Sequence, residues 1–361
     1  MGILRLLLAA SVVAFHSGPI FGFRGMGADA VQAFFILSGL YMALIVSVNY
    51  ANATDFYLSR ALRLFPVYWV FLLMVVAIAA LPNLGGGDFL QGVVDAARGR
   101  LKAATDGSAA AWLTAIPNLL MIGSDWARQF FSDDAGALHV WRPEFREGPG
   151  VNAVERHLIA PQIWSLGVEL AFYAVAPFLM RLSTRLLIAI GVVAYIAGNV
   201  AQGVGETYTG PFAWRHMLPM QNAWLFVLGV LCFRALPAVQ RLPTPVNAAL
   251  AAVPFVLVFV WAPTNWQQLN GLLLVFALGL PPLFTLTKDW RADRWVGELA
   301  YPIYLVHLLF AYPALVFGAM HGPVCFLVSV IVSIGLAVAV QAPVDRYRHS
   351  LINRARPRFA G

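Results

Sequence analysis

The sequence predicts an all-α polytopic membrane protein of about ten transmembrane helices. Three observations carry this. Of 361 residues, 60% are hydrophobic and only 11% are charged, whereas soluble domains carry roughly 25% charged residues. Mean hydropathy is +0.74. Ten apolar runs approach the ~20 residues that a helix needs to cross a bilayer. These features exclude a soluble enzyme, a disordered chain and a collagen-like fibre.

The runs fall at about 3–22, 30–48, 66–81, 160–180, 184–201, 218–236, 245–262, 268–286, 297–318 and 322–343. Residues 3–15 resemble the apolar part of a signal peptide. No small-x-small cleavage site follows cleanly, so an uncleaved first span is expected. The short run 66–81 is expected to start near Leu58, as one helix bent at Pro66. The stretch 109–123 holds Pro117 and reads as interfacial or re-entrant. No repeat of solenoid length is visible.

Net charge is +7. In a soluble protein that excess would raise nucleic acid as a partner. Here Lys and Arg set topology instead, and the partner is the lipid bilayer. With the N-terminus inside, fifteen cations lie inside and nine outside, seven of those in the segment 82–157. Cytoplasmic N- and C-termini are therefore expected. The division is a transmembrane domain over 1–345, with 82–157 as an extracytoplasmic or interfacial insertion, and a basic cytoplasmic tail over 346–361. Cys232 and Cys325 lie in apolar runs and read as core residues. No histidine pair has metal-ligand spacing, so no metal is expected. Walker, GxGxxG-before-helix and GxSxG patterns are absent from the sequence, which disfavours ATP or NAD chemistry.

Ionisable groups inside spans are costly and point to function. His16, Glu169 and His307 are the ones deep in the expected helices. Arg5 and His16 are eleven residues apart, which is ~20° past three full turns, so they share a helix face ~16 Å apart along the axis. Ser165, Glu169 and Tyr173 form an i, i+4, i+8 stripe that must face protein or water. Counting residues puts Glu169 and His16 at similar depth, as a carboxylate orienting a basic imidazole requires. Arg60 and Arg63 are neighbours on one face at the inner end of a span. They read either as positive-inside anchors or as an anion clamp. His307 either lines the same cavity or ties helices together. Ser38-Gly39 reads as a small-residue packing site.

Five pieces in order resemble the membrane acyltransferase 3 family, particularly its stand-alone, exopolysaccharide-modifying O-acetyltransferases. The Arg/Lys-x10-His pattern stands as Arg5 and His16. Phe-Phe-x-x-Ser-Gly stands as Phe34-Phe35-Ile36-Leu37-Ser38-Gly39. Arg-x-x-Arg stands as Arg60 and Arg63. Trp-Ser-Leu-x-x-Glu stands as Trp164-Ser165-Leu166 and Glu169. Tyr-x-x-Tyr-Leu-x-His stands as Tyr301, Tyr304-Leu305 and His307. Two departures exist. Gln32 replaces the acidic residue that many members carry before Phe-Phe, with Asp29 three positions earlier. The hydrolase-like domain that some members add is also missing, so any second step it performs is expected to need a partner protein.

The resemblance implies transfer of an acyl group, usually acetyl, from cytoplasmic acyl-CoA to a hydroxyl of a cell-envelope glycan or glycolipid. It implies an integral protein of a bacterial inner membrane. On this reading acetyl-CoA or another acyl-CoA is the donor, and Arg5, Arg60 and Arg63 meet its phosphates. His16 is the base, oriented by Glu169, or carries the acyl group transiently. Tyr173, Tyr304 and Ser38 are the hydroxyls considered for the oxyanion, and Ser165 and His307 are further pocket residues. Two rival readings stay open. One is a proton-coupled secondary transporter. The other is an enzyme of the membrane-bound O-acyltransferase type, which would make His307 the catalyst.

Overall fold

A computed structural model describes the chain except residues 50–52, 85–87, 141–151, 210–218 and 356–361. Helix α1 (Gly2–Ser17) starts where the Asp293 carboxylate accepts the amides of Gly2 at 2.6 Å and Ile3 at 2.9 Å. Those bonds satisfy donors that a first helical turn leaves open. The helix ends at Gly18, whose φ of +82° suits glycine. The expected span of 3–22 is thus shortened, and Ile20 to Phe23 form a tight turn closed by paired backbone bonds of 2.9 Å. His16 consequently sits in the last turn of α1, exposed, rather than deep within a longer helix.

Helix α2 (Ala30–Asn49) lies against α8 (Pro219–Val239) at backbone distance. A Cβ on Gly39 would meet the Phe226 carbonyl oxygen at 2.0 Å, and one on Gly229 would meet that of Ile36 at 2.0 Å. The small-residue site expected at Gly39 therefore has a matching glycine on its partner helix. Helix α3 (Ala53–Ala79) is one long element with Pro66 inside it, as expected for a helix starting ahead of the apolar run 66–81.

The segment after α3 is built rather than loop-like. Helix α4 (Phe89–Ala104) is capped by Asp88, which accepts the Gln91 amide, and α5 (Ala109–Leu120) by Ser108, which accepts the Ala111 amide. A small antiparallel sheet comes next, with β1 (Phe130–Ser132) between β2 (Leu138–Val140) and β3 (Asn152–Ala153). This sheet is a local exception to the all-α expectation. Its register places Phe131 opposite His139, and their rings stack at 5.1 Å. The segment is fastened to the helices beneath. Tyr68 donates to the Asn118 carbonyl at 2.6 Å, and the Trp69 indole to that of Leu119 at 3.0 Å.

The remaining helices are α6 (Trp164–Leu179), α7 (Thr184–Thr209), α9 (Thr244–Val260), α10 (Trp266–Thr287), α11 (Arg291–Glu298), α12 (Ala300–Ala311), α13 (His321–Leu336) and α14 (Ala342–Ala355). The expected run 297–318 is subdivided. Helix α12 gives way to a tighter 3₁₀ stretch, Pro313–Met320, where Gly318 takes a φ of +55°. A π-helical turn, Ala337–Gln341, joins α13 to α14. Among the described residues, six helical stretches are long and apolar enough to cross a membrane: Gly27–Ser47, Thr54–Ala79, Pro161–Leu179, Gln221–Val239, Gln267–Thr287 and Pro313–Arg348. The apolar helices Gly2–Ser17, Thr184–Val200 and Thr244–Val260 are shorter. The boundary drawn at 345/346 falls inside α14, so Arg346 to Ala355 are helical.

This packing makes stability testable at two points. Gly229→Val should lower the thermal midpoint of the detergent-purified protein, because overpacking costs typically ~1–3 kcal/mol even where only side chains must shift, and here the obstacle is backbone. An unchanged midpoint would contradict the close α2–α8 crossing. Asp125 is buried with Oδ2 unpartnered, and burial raises its carboxyl from 3.8 to about 6. The folded state thus holds a proton that the unfolded chain releases between these values, and stability falls as pH rises through that window. Asp125→Asn should raise the midpoint at pH 7 and flatten its slope between about pH 4 and 6.

Candidate active site

A cavity of about 1100 Å³, open space at its mouth included, lies between α1, α2, α3, α6, α12, the end of α11 and the middle of α14. Eight residues singled out by sequence line it: Arg5, Ser38, Arg60, Arg63, Ser165, Glu169, Tyr173 and Tyr304. They are drawn from five helices and positions as distant as 5 and 304. Apolar groups such as Phe34, Leu37 and Met42 supply much of the remaining wall.

Glu169 projects from the second turn of α6. Its Oε1 accepts from the Ser38 hydroxyl and from the Tyr173 hydroxyl one helical turn away. Helix spacing alone sets the Glu169–Tyr173 pair. Ser38 reaches the carboxylate because its neighbour Gly39 lets α2 sit against α8. The hydrogen bonds of Glu169 therefore go to Ser38 and Tyr173, not to His16.

The arginines divide into two kinds. Arg63 forms ion pairs with Glu298 and, at 3.6 Å, with Asp345 of α14. Gln341 in the π-helical turn donates to the same Glu298 at 2.9 Å. Arg60 is buried, and among the described residues its guanidinium donates to Ser59 alone, at 3.2 Å. Its Nε has no partner. Arg5 lies 5.8 Å from the centre of the Tyr41 ring, within cation–π range. Among the described residues, neither Arg5 nor Arg60 has a carboxylate within ion-pair distance.

Tyr304 stands at the other end of the cavity. Its hydroxyl lies 2.7 Å from the Ser165 hydroxyl and donates to the Gln162 carbonyl at 2.8 Å. Its ring is 5.9 Å from that of His307, which in turn is 5.3 Å from that of His16. Neither histidine lines the cavity itself. His307 is fully buried, whereas His16 is exposed. The Nδ1 of His307 lies 2.8 Å from the Tyr304 carbonyl. A carbonyl only accepts, so Nδ1 carries the proton and Nε2 is a bare acceptor. That Nε2 is buried and has no hydrogen-bond partner.

Sequence reasoning missed four contributors, Arg100, Glu298, Asp345 and the cavity-lining Arg348. Arg100 of α4 donates to the Ile159 and Leu308 carbonyls, both at 2.9 Å, and so grips the backbone next to His307. Its burial lowers the guanidinium to about 10. Nothing local distinguished it from the other cations of its segment. Glu298 and Asp345 were missed because an acid beside arginines in sequence does not reveal which arginine it meets in space. Asp29, considered for its acidity near Phe34, accepts the Trp261 indole at 3.0 Å. Among the described residues, no group of three or more His, Cys, Asp or Glu could hold a metal.

A membrane-embedded helical bundle with an arginine-lined cavity and a histidine pair beside it suits an acyl-transfer enzyme. Residues 1–342 match the acyltransferase 3 family, described as an acyltransferase domain, and the chain belongs to that family. It is an integral membrane acyltransferase. No curated protein and no solved structure matches it.

Tyr304→Phe keeps the ring and deletes the hydroxyl that bridges α12 to α6. A typical hydrogen bond contributes ~0.5–1.5 kcal/mol, so the thermal midpoint should drop by a few degrees. Full retention would show that the bridge does not tie the two helices.

Proposed function

We propose that this protein transfers an acyl group, acetyl foremost, from cytoplasmic acyl-CoA to a hydroxyl of a cell-envelope glycan or glycolipid. The chain crosses a bacterial inner membrane ten times with both ends in the cytoplasm, a reading supported by ten apolar runs in the sequence, most of them helical, and by the inside bias of the cations. One juxtaposition carries the functional reading. A cavity with two arginines that have no carboxylate within ion-pair distance among the described residues is also lined by Tyr304, and Tyr304 abuts the His16–His307 pair.

Arg5 and Arg60 take the donor phosphates, because an unpaired guanidinium offers a fork that suits phosphate oxygens. Arg63, held by Glu298 and Asp345, sets the shape of that wall. The exposed His16 is the general base. It takes the proton of the acceptor hydroxyl as the oxygen attacks the thioester carbonyl carbon. The tetrahedral adduct then expels the CoA sulfur, and the imidazolium returns its proton to the thiolate. His307, sealed from solvent, serves as a positioning residue whose ring packs against that of His16. The hydroxyls of Ser38 and Tyr173 are held by Glu169, and that of Tyr304 by Ser165 and Gln162. Glu169 thus organises the cavity wall rather than the base.

General-base catalysis contributes ~10²–10⁴-fold. His16→Ala should therefore reduce acetylation of envelope glycans by at least a hundredfold, read by mass spectrometry in a deletion strain complemented with variant or wild type at matched expression. Wild-type acetylation in His16→Ala with none in His307→Ala would transfer the base role to His307. Arg60→Ala should raise the KM for acetyl-CoA by ~10-fold or more, since hydrogen bonds to charged groups are worth ~1.5–3 kcal/mol, with kcat changed less. An unchanged KM alongside poor membrane insertion would make Arg60 a topological anchor.

A further inference from the structure

Arg348 lies near the C-terminal end of the chain, in a stretch whose sequence reads as a basic tail. In the folded protein it lines the same cavity as Arg5 and Arg60. The π-helical turn before α14 admits an extra residue per turn and so re-aims the helix beyond it. Gln341 of that turn is bonded to Glu298, and Asp345 one turn later is paired with Arg63. Helix α14 is thereby fixed against α3, with Arg348 facing inward.

The donors of Arg348 are only partly used. Its Nη2 is 3.0 Å from Asp345. Its Nε and Nη1 are buried and have no hydrogen-bond partner, like the Nε of Arg60. The charges of Arg60, Arg63 and Arg348 lie close enough to act on one another. Among the described residues, Arg63 is held by two carboxylates, Arg348 shares one of them, and Arg60 has none within ion-pair distance. Leaving buried guanidinium donors unsatisfied is costly. Gathering like charges in one place adds repulsion. Both costs vanish when an anion with several acceptor oxygens enters between Arg60 and Arg348.

We propose that Arg348 and Arg60 together form a phosphate subsite of the donor pocket, so that α14 is part of the acyl-CoA site and selects donors that carry the nucleotide end. This rests on the acyl-CoA reading above. A phosphate held by two forks is recognised by charge and by geometry. A thioester lacking phosphates forgoes that contact, so the subsite discriminates among donors with the same reactive end.

The test compares acetyl-CoA, acetyl-dephospho-CoA and acetyl-pantetheine as donors for purified protein in nanodiscs, with an envelope glycan extract as acceptor. Wild type should prefer acetyl-CoA. In Arg348→Gln the ratio of kcat/KM for acetyl-CoA to that for acetyl-pantetheine should fall at least tenfold. Arg348→Lys, which keeps the charge but loses the fork, should fall between the two and serves if the Gln variant does not accumulate. A loss confined to donors with the 3′-phosphate, or one shared by both nucleotide donors, supports the subsite and tells which phosphate occupies it. An unchanged ratio in both variants overturns it. Direct titration with CoA, dephospho-CoA and pantetheine separates this from failure of the acyl-CoA reading. If wild type transfers nothing yet binds CoA with an affinity that Arg348→Gln weakens tenfold, the subsite stands and the reaction assignment falls. If CoA and pantetheine bind alike, the subsite falls.

Discussion

The contact between Gly39 and Gly229 governs the geometry of everything around it. Two helices meet there with no side chains between them. In a bilayer, apolar side chains gain little by leaving lipid for protein, so close backbone packing and interhelical hydrogen bonds hold helices together. Beside the crossing, Ser38 donates to the Glu169 carboxylate of α6, Phe172 stacks on Phe226 at 4.3 Å, and Phe35 meets Phe226 at a tilt at 4.9 Å. Helices α2, α6 and α8 thereby meet around one half-buried acid, Glu169. A second close approach, Gly2 on Gly297, brings α1 to α11 and sets where Arg5 can reach.

Charge distribution inside this frame is uneven. Asp293, Glu298 and Asp345 each meet a backbone amide or a guanidinium, so their cost of burial is offset. Arg60 and Arg5 are not matched in this way. A bundle selected for stability alone would pair them or replace them with apolar side chains. Their lack of a direct ion pair among the described residues, more than their number, distinguishes the cavity from a cluster of anchoring cations.

Much of this was legible in the chain. Apolar runs located the helices, because the bilayer demands both length and internal hydrogen bonding. Glu169, Ser165 and Tyr173 announced a polar face by their spacing. Ser38, Arg5, Arg60, Arg63 and Tyr304 stood out as polar groups in or beside apolar stretches, and the structure gathers them at one cavity. The hidden part was non-local. The end of α1 depends on a single positive φ at Gly18. The nearness of His16 to His307 depends on how α1 and α12 cross, which no periodicity encodes. Arg100 and Arg348 looked like ordinary surface cations, because nothing local reports that a loop folds back or that a π-helical turn redirects a helix.

The bridge of Ser165, Tyr304 and Gln162 has a consequence for the membrane itself. An enzyme that draws its donor from one compartment and its acceptor from another risks becoming a leak. Any passage wide enough for an acyl arm also passes protons and small ions, and each elementary charge crossing moves through ~2.3 kcal/mol per 100 mV. The three-residue bridge, with buried His307 behind it, lies between the arginine-lined cavity and exposed His16. On the proposed reading, Tyr304 is then the insulation that lets a two-sided catalyst coexist with an energised membrane, and chemistry proceeds only while the acyl chain itself plugs the gap.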